Sequence, residues 1–323
     1  CYQAYSGKHR NNSLLQSRAI KRLTYTRNTG IILVLINYLE HSIMTTTIKF
    51  NSAVQSAYLT QGEVRNNQLK DLVRDATGIN KKIICATMHT ILSGAPGVGK
   101  TYTTIAELEA NNLPYVLITA GMTDVEITMR LANGIALLKP GQELIVVVDD
   151  ADDVIFGNLP TLNRWKIATA DMNPIWSYPK SINPTLVQLE KAGRDVEAQR
   201  LAKFQVEGSL GLEIPLDNAR FIVLCNTDLE DMDQVKKALR GSVEAVLDRF
   251  EYERLSMPWQ EKWGWLAYVL CNSQPFEEVD LDEDQKKEVL NFLYQNWNYL
   301  KSSSGASYRF VRKLVDDMVN YPD

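Results

Sequence analysis

The chain has little that would place it in an oxidising compartment or a bilayer. Its four cysteines (Cys1, Cys85, Cys225, Cys271) are widely spaced over 323 residues and form no Cys-x-x-Cys pair. Neither a disulfide framework nor a zinc site is suggested, and a reducing compartment is the default. The apolar run GIILVLINYL spans about 10 residues, where a membrane helix needs about 20, so no membrane partner is expected. Internal repeats and low-complexity tracts are also missing. Excess positive charge is confined to one end. Residues 1–43 hold six Lys/Arg against Glu40, leaving 29 basic and 38 acidic groups for the rest. An acidic body argues against broad, nonspecific DNA binding.

Residues 1–43 also lack a steady apolar period. Basic residues before a short apolar core have the outline of a signal peptide, but EHSIM is a poor cleavage site. The segment reads as a disordered or non-native leader, with Met44 of MTTTIKF as the start. Residues 44–78 read as an N-terminal segment of one or two short helices with a glycine stop.

From residue 79 to 256 apolar strands alternate with helical patterns. HTILSG, PYVLITAG, ELIVVVDD and ARFIVLCNTD are the strand runs. ELIVVVDD is continuously apolar, as a strand covered on both faces must be. The pattern predicts an α/β core, a parallel sheet sandwiched by helices, with ligands at the carboxyl ends of the strands. Residues 174–218 interrupt it: PIWSYPKSINP reads as a loop and TLVQLEKAGRDVEAQRLAKFQ as a charged amphipathic helix. Beyond Pro258 three helix patterns predict a small all-helical domain over 257–323.

Gly94-Ala95-Pro96-Gly97-Val98-Gly99-Lys100-Thr101 satisfies G-x-x-x-x-G-K-[ST] between a predicted strand and a predicted helix, which Tyr102 continues. In such a loop the glycines turn backbone N–H groups toward phosphate oxygens, and the helix N-terminus adds partial positive charge. Lys100 would reach the β- and γ-phosphates of ATP, and the Thr101 hydroxyl would ligate Mg²⁺. A plain strand–helix turn needs no Lys-Thr pair.

Hydrolysis also needs a carboxylate at the end of a neighbouring strand to hold the magnesium. LIVVVDDADD supplies Asp149 for the metal and Asp150 to orient or deprotonate the attacking water. A glutamate is commoner in the second role. With the shorter Asp150, either the water sits closer, or hydrolysis is slow, or Asp152 or Asp153 contributes.

Three positions further along narrow the class. FIVLCN ends a strand on Asn226, where the γ-phosphate and its water would lie. AVLDRF places Arg249 at the end of a helical pattern. GASYRFVRKL places Arg309 in the first turn of the last helix, with Arg312 three residues on, and either could contact phosphate from the helical domain. Taken in order, phosphate loop, Asp149-Asp150, Asn226, Arg249, then a helical domain with Arg309, residues 79–320 resemble the AAA+ ATPases. VVVDDADDVIFGNLPTLNRWKIATAD is similar to small ATPases of bacteriophage genomes. The resemblance implies a P-loop NTPase fold with a helical lid, and an ATP-driven homo-oligomeric ring with its active site between subunits. Within it Asn226 is the first sensor, Arg249 the arginine finger reaching a neighbour's γ-phosphate, and Arg309 the second sensor. The expected compartment is the cytoplasm, that of the host cell if the gene is viral.

The chain departs from protein-threading members, which carry an aromatic-hydrophobic-Gly loop after the second strand. Ala120-Gly121-Met122 stands there instead. No zinc module or helix-turn-helix signature points to a clamp loader or an initiator. The expected activity is Mg²⁺-dependent ATP hydrolysis coupled to remodelling of a macromolecule, with DNA or a DNA-processing protein as the candidate partner. A nucleotide-dependent switch or scaffold with little turnover is the alternative. The 174–218 segment, with Trp176, Tyr178, Lys180 and Phe204, is either a contact for that partner or packing for its own domain.

Overall fold

A computed structural model describes residues 52–79, 89–256 and 258–272, with six further positions between 284 and 295. Leader residues 1–43, Met44, Arg309 and Arg312 lie outside the described residues. The chain divides into two compact units, 64–258 and a second comprising 1–63 with 259–323. No helix among the described residues is long and apolar enough to cross a membrane.

The first unit is an α/β fold built on a five-stranded parallel sheet. Its strands are β1 (His89–Gly94), β2 (Tyr115–Ile118), β3 (Leu144–Val148), β6 (Ala219–Cys225) and β7 (Phe250–Leu255). They lie in the order β2-β3-β6-β1-β7. Alternation along each strand sends side chains to both faces, and both faces are covered. One carries Leu92, Ile145, Val147, Ile222 and Leu224 against Leu69 and Val73 of α1 (Ser52–Ala76) and Leu108 of α2 (Lys100–Ala110). The other carries Ile91, Val146, Val148, Phe221 and Val223. It packs against α3 (Asp124–Ala136), α5 (Leu159–Ala168) and α8 (Arg240–Leu247). Every residue of β3 is buried, which is why LIVVV carries no polar alternation. Each such side chain stabilises the fold by about 1.5–3 kcal/mol.

Local chemistry sets the helix ends. Thr123 and Glu126 form a reciprocal capping box that starts α3. Asn158 Oδ1 accepts the Thr161 N–H, with Pro160 next to the start of α5. The described part of the N-terminal segment is a single helix of 25 residues, Ser52–Ala76, longer than the one or two short helices expected. Arg74 near its end donates from Nε to the buried Glu107 carboxylate of α2 (2.8 Å).

Residues 174–218 differ most from expectation. IWSY, read as loop, forms β4 (Ile175–Tyr178), paired antiparallel with β5 (Leu212–Pro215). The single predicted helix is two, α6 (Asn183–Lys191) and α7 (Asp195–Ala202), separated at Gly193, whose φ of +69° only glycine adopts without strain. Trp176 is 1% exposed. Its Nε1 donates to Thr128 Oγ1 (2.9 Å), and its ring lies 5.0 Å from that of Trp165. Tyr178 is buried in the same cluster and Phe204 packs against it, so these rings are core of their own domain; Lys180 is exposed.

In the second unit α9 (Trp259–Asn272) buries Trp263, Trp265 and Leu266, and Trp263 lies 5.7 Å from Tyr294, centroid to centroid. Most of the other two helix patterns of 257–323 lies outside the described residues.

Candidate functional site

The strand order decides what meets at the carboxyl edge of the sheet. Because β6 lies between β1 and β3, the residue that follows it stands between the loop after β1 and the acids after β3. Neighbouring strands are about 4.8 Å apart, so the ends of β1 and β3 are separated by about 10 Å. Side chains of two or three bonds' reach close that gap.

The loop after β1 is shaped by its glycines. Gly97 and Gly99 have φ of +77° and +85°, left-handed values that cost other residues about 1 kcal/mol or more. At Gly94 a Cβ would come within 2.8 Å of the Leu255 carbonyl oxygen on β7. Val98 is buried and anchors the loop, while Ala95 and Pro96 are exposed at its crest. Helix α2 begins at Lys100 with Gly99 as its cap residue, no side-chain cap and no acid in its first turn. Its N-terminal N–H groups are therefore not capped by a side chain of the helix itself. Tyr102 is exposed in that first turn.

Lys100 is 7% exposed. Its Nζ donates to the carbonyls of Gly94 (2.6 Å) and Ala95 (3.2 Å) and to Asn226 Oδ1 (3.1 Å). Burial lowers the pKa of its ammonium from the ordinary value, with Asp149, Asp152 and Asp150 opposing that shift through their charge. Beside it Thr101 Oγ1 donates to Asp149 Oδ1 (2.8 Å). A hydroxyl and a carboxylate are two hard oxygen donors. Mg²⁺ takes that few from protein when phosphates and water complete its shell, so the pair fits this ion.

Asp150, the next residue, is exposed and has φ 52° and ψ 45°. Aspartate is among the few residues other than glycine that adopt this left-handed turn at modest cost. No residue among those described donates to its carboxylate, which leaves it open to water.

The turn after β6 is held from both sides. Asp152, in the short helix α4 (Ala151–Val154), accepts the backbone N–H groups of Asn226 (2.8 Å) and Thr227 (2.9 Å) on its two carboxylate oxygens. Ser93 Oγ donates to the Thr227 carbonyl (2.8 Å). Further along, Asp228 accepts from Tyr252 Oη (3.0 Å) and pairs with Arg254 (2.9 Å), which lies in register with Ser93. The roles of Ser93, Asp152 and Asp228 in fixing this turn are not visible in a one-dimensional reading. Only the acidic run DDADD hints at the second.

Lys100, Thr101, Asp149 and Asn226 thus converge, with Asp150 next in chain to Asp149. Arg249 does not join them. It precedes β7, whose first residue pairs with His89 at the opposite end of β1 from Gly94. Five residue steps separate the two ends, about 17 Å. Its Nη1 donates instead to the Lys166 carbonyl near the end of α5 (2.6 Å). Asp153 is exposed on α4, and Arg309 is outside the described residues.

Compared with known proteins, the chain matches no family model and no curated protein.

Proposed function

We propose that the chain binds ATP with Mg²⁺ at the carboxyl edge of the sheet and hydrolyses it as a ring-forming AAA+ ATPase that remodels a macromolecule. The observation that carries the reading is the convergence at one point of Lys100, Thr101, Asp149 and Asn226. They come from three segments and join through hydrogen bonds of 2.8 and 3.1 Å.

The chemistry follows from those positions. Gly97–Thr101 present backbone N–H groups and a helix N-terminus to the phosphates. Lys100 exchanges the Gly94 and Ala95 carbonyls for β- and γ-phosphate oxygens, a charge-assisted contact. Thr101 and Asp149 hold Mg²⁺, which when bound neutralises charge on the β- and γ-phosphates. Asp150 orients the water that attacks the γ-phosphorus as the bond to ADP breaks, and Asn226 fixes the γ-phosphate against that water. Arg249, beyond reach of its own loop, acts on the γ-phosphate of a second copy. The remodelled substrate in this reading is DNA or a DNA-processing protein.

A slow-turnover switch is the second reading, and the short Asp150 side chain favours it. Steady-state ATPase against protein concentration separates the two. Specific activity that rises as copies assemble is expected for the ring. Tight ATP binding with flat, near-zero turnover would replace it with the switch.

A further inference from the structure

We infer that Asp152 is a positioning residue, whose carboxylate ties the acidic turn after β3 to the turn after β6 and so holds Asn226 at the Lys100 ammonium. The inference rests on reading the site as one of nucleotide hydrolysis. What it adds is a residue outside the phosphate and metal contacts whose work is done through Asn226.

The geometry is two-pronged. One carboxylate oxygen takes the N–H of Asn226 at 2.8 Å and the other takes that of Thr227 at 2.9 Å. Bonds to a charged acceptor are stronger than neutral ones, and two from consecutive amides fix the orientation of the backbone between them. The Asn226 side chain then extends from a fixed Cα to Lys100 Nζ. The opposite side of the turn is held by Ser93 through the Thr227 carbonyl. Asp152 is two residues from Asp150, which precedes the short helix that carries Asp152, so the water-facing acid and the clamp on its partner belong to one turn. A shift of either turn moves the other.

Asn226 is exposed and Thr227 is half-buried. Water can satisfy the two amides once the carboxylate is removed, so the substitution loosens position more than it unfolds the protein. A displacement of about 1 Å near a reacting group can cost about 100-fold in rate.

The test uses Asp152→Ala, Asp152→Asn, Asn226→Ala and the Asp152→Ala/Asn226→Ala double variant of the full chain. It measures kcat, KM and the Kd for MgATP, with circular dichroism as the check on folding. Asp152→Ala is expected to lower kcat by about 10- to 100-fold and leave Kd within about threefold. Asp152→Asn keeps one acceptor oxygen and should recover part of the loss. It also stands in for Asp152→Ala if the alanine variant does not fold. The double variant should be no slower than Asn226→Ala, because the two residues act as one unit. Unchanged kcat in Asp152→Ala, or losses that multiply in the double variant, overturns the positioning role alone. A wild-type protein that binds MgATP without turnover overturns it too while keeping nucleotide binding. One that neither binds nor hydrolyses ATP removes the functional reading together with this inference.

Discussion

Lys100→Ala probes the site most directly, because the ammonium is buried at the point where phosphate charge would arrive. Its present acceptors are two carbonyls and one amide oxygen; in the proposed nucleotide complex the carbonyls would give way to phosphate oxygens. Each hydrogen bond involving a charged group contributes about 1.5–3 kcal/mol. Two of them amount to about 3–6 kcal/mol gross. Because two carbonyl bonds are given up in exchange, the net is taken at the low end, about 3 kcal/mol or about 100-fold in Kd. Titration calorimetry with MgATP should therefore show binding weakened by about 100-fold. A folded variant that binds within about threefold of wild type would refute the placement of phosphate at Lys100.

The same pair of proteins tests the burial argument without nucleotide. The folded state holds the Lys100 proton less tightly than the unfolded chain does, since burial lowers the pKa below its ordinary value. Where the unfolded state binds more protons, stability rises with pH. Through Lys100 it therefore rises from the lowered folded value up to the ordinary one. Cys225 and Tyr252 act with the opposite sign. Burial pushes each up to about 12, so the folded state keeps protons that the unfolded chain releases, and their contribution falls as pH climbs. The Tyr252 contribution is common to wild type and variant, whereas Cys225 feels the Lys100 charge. The difference between their urea-unfolding free energies therefore reports Lys100 together with its effect on Cys225. That difference should move in favour of wild type as pH rises through the alkaline window. A flat difference would mean that the ammonium pays no desolvation penalty in the fold.

Arg249→Ala should keep MgATP affinity and lose turnover by about 10³-fold or more if the residue serves a neighbour's site. Mixing it with Asp150→Asn should restore some activity only when one site draws on two copies, and wild-type turnover in Arg249→Ala would remove the role. Trp176→Ala removes a ring that is 1% exposed, along with its bond to Thr128. A loss of about 3–5 kcal/mol in urea unfolding is expected, and a loss under about 1 kcal/mol would mean that the 174–218 segment does not pack as described.

What could be read from sequence follows the range of the interactions involved. The glycine loop, the start of α2 and the acids after β3 are set by residues within one turn of each other, and all lie where the strand–loop–helix pattern puts them. The burial of β3 is legible for the same reason, since a strand covered on both faces needs no partner to be named. Strand order is different. Nothing in ARFIVLCNTD says that this segment inserts between β3 and β1, yet that insertion alone brings Asn226 to Lys100 across 126 residues of chain. The misread loop at IWSY has the same cause. Flanking prolines suggest irregular backbone, but Ser177 and Tyr178 pair with Glu213 and Leu212, and Trp176 finds its hydrogen-bond acceptor 48 residues back at Thr128.

Arg249 shows how far local pattern and spatial argument each reach. Its position at the end of a helical pattern is a one-dimensional fact, and by itself describes any surface cation. The parallel register of β1 with β7 turns it into a constraint, because a residue before Phe250 must lie at the edge opposite Gly94. With about 17 Å between the two edges, no rotamer of Arg249 reaches its own glycine loop. Any catalytic role therefore requires a second copy, and loss of turnover without rescue in mixed variants would assign Arg249 to holding Lys166 and α5 in place instead.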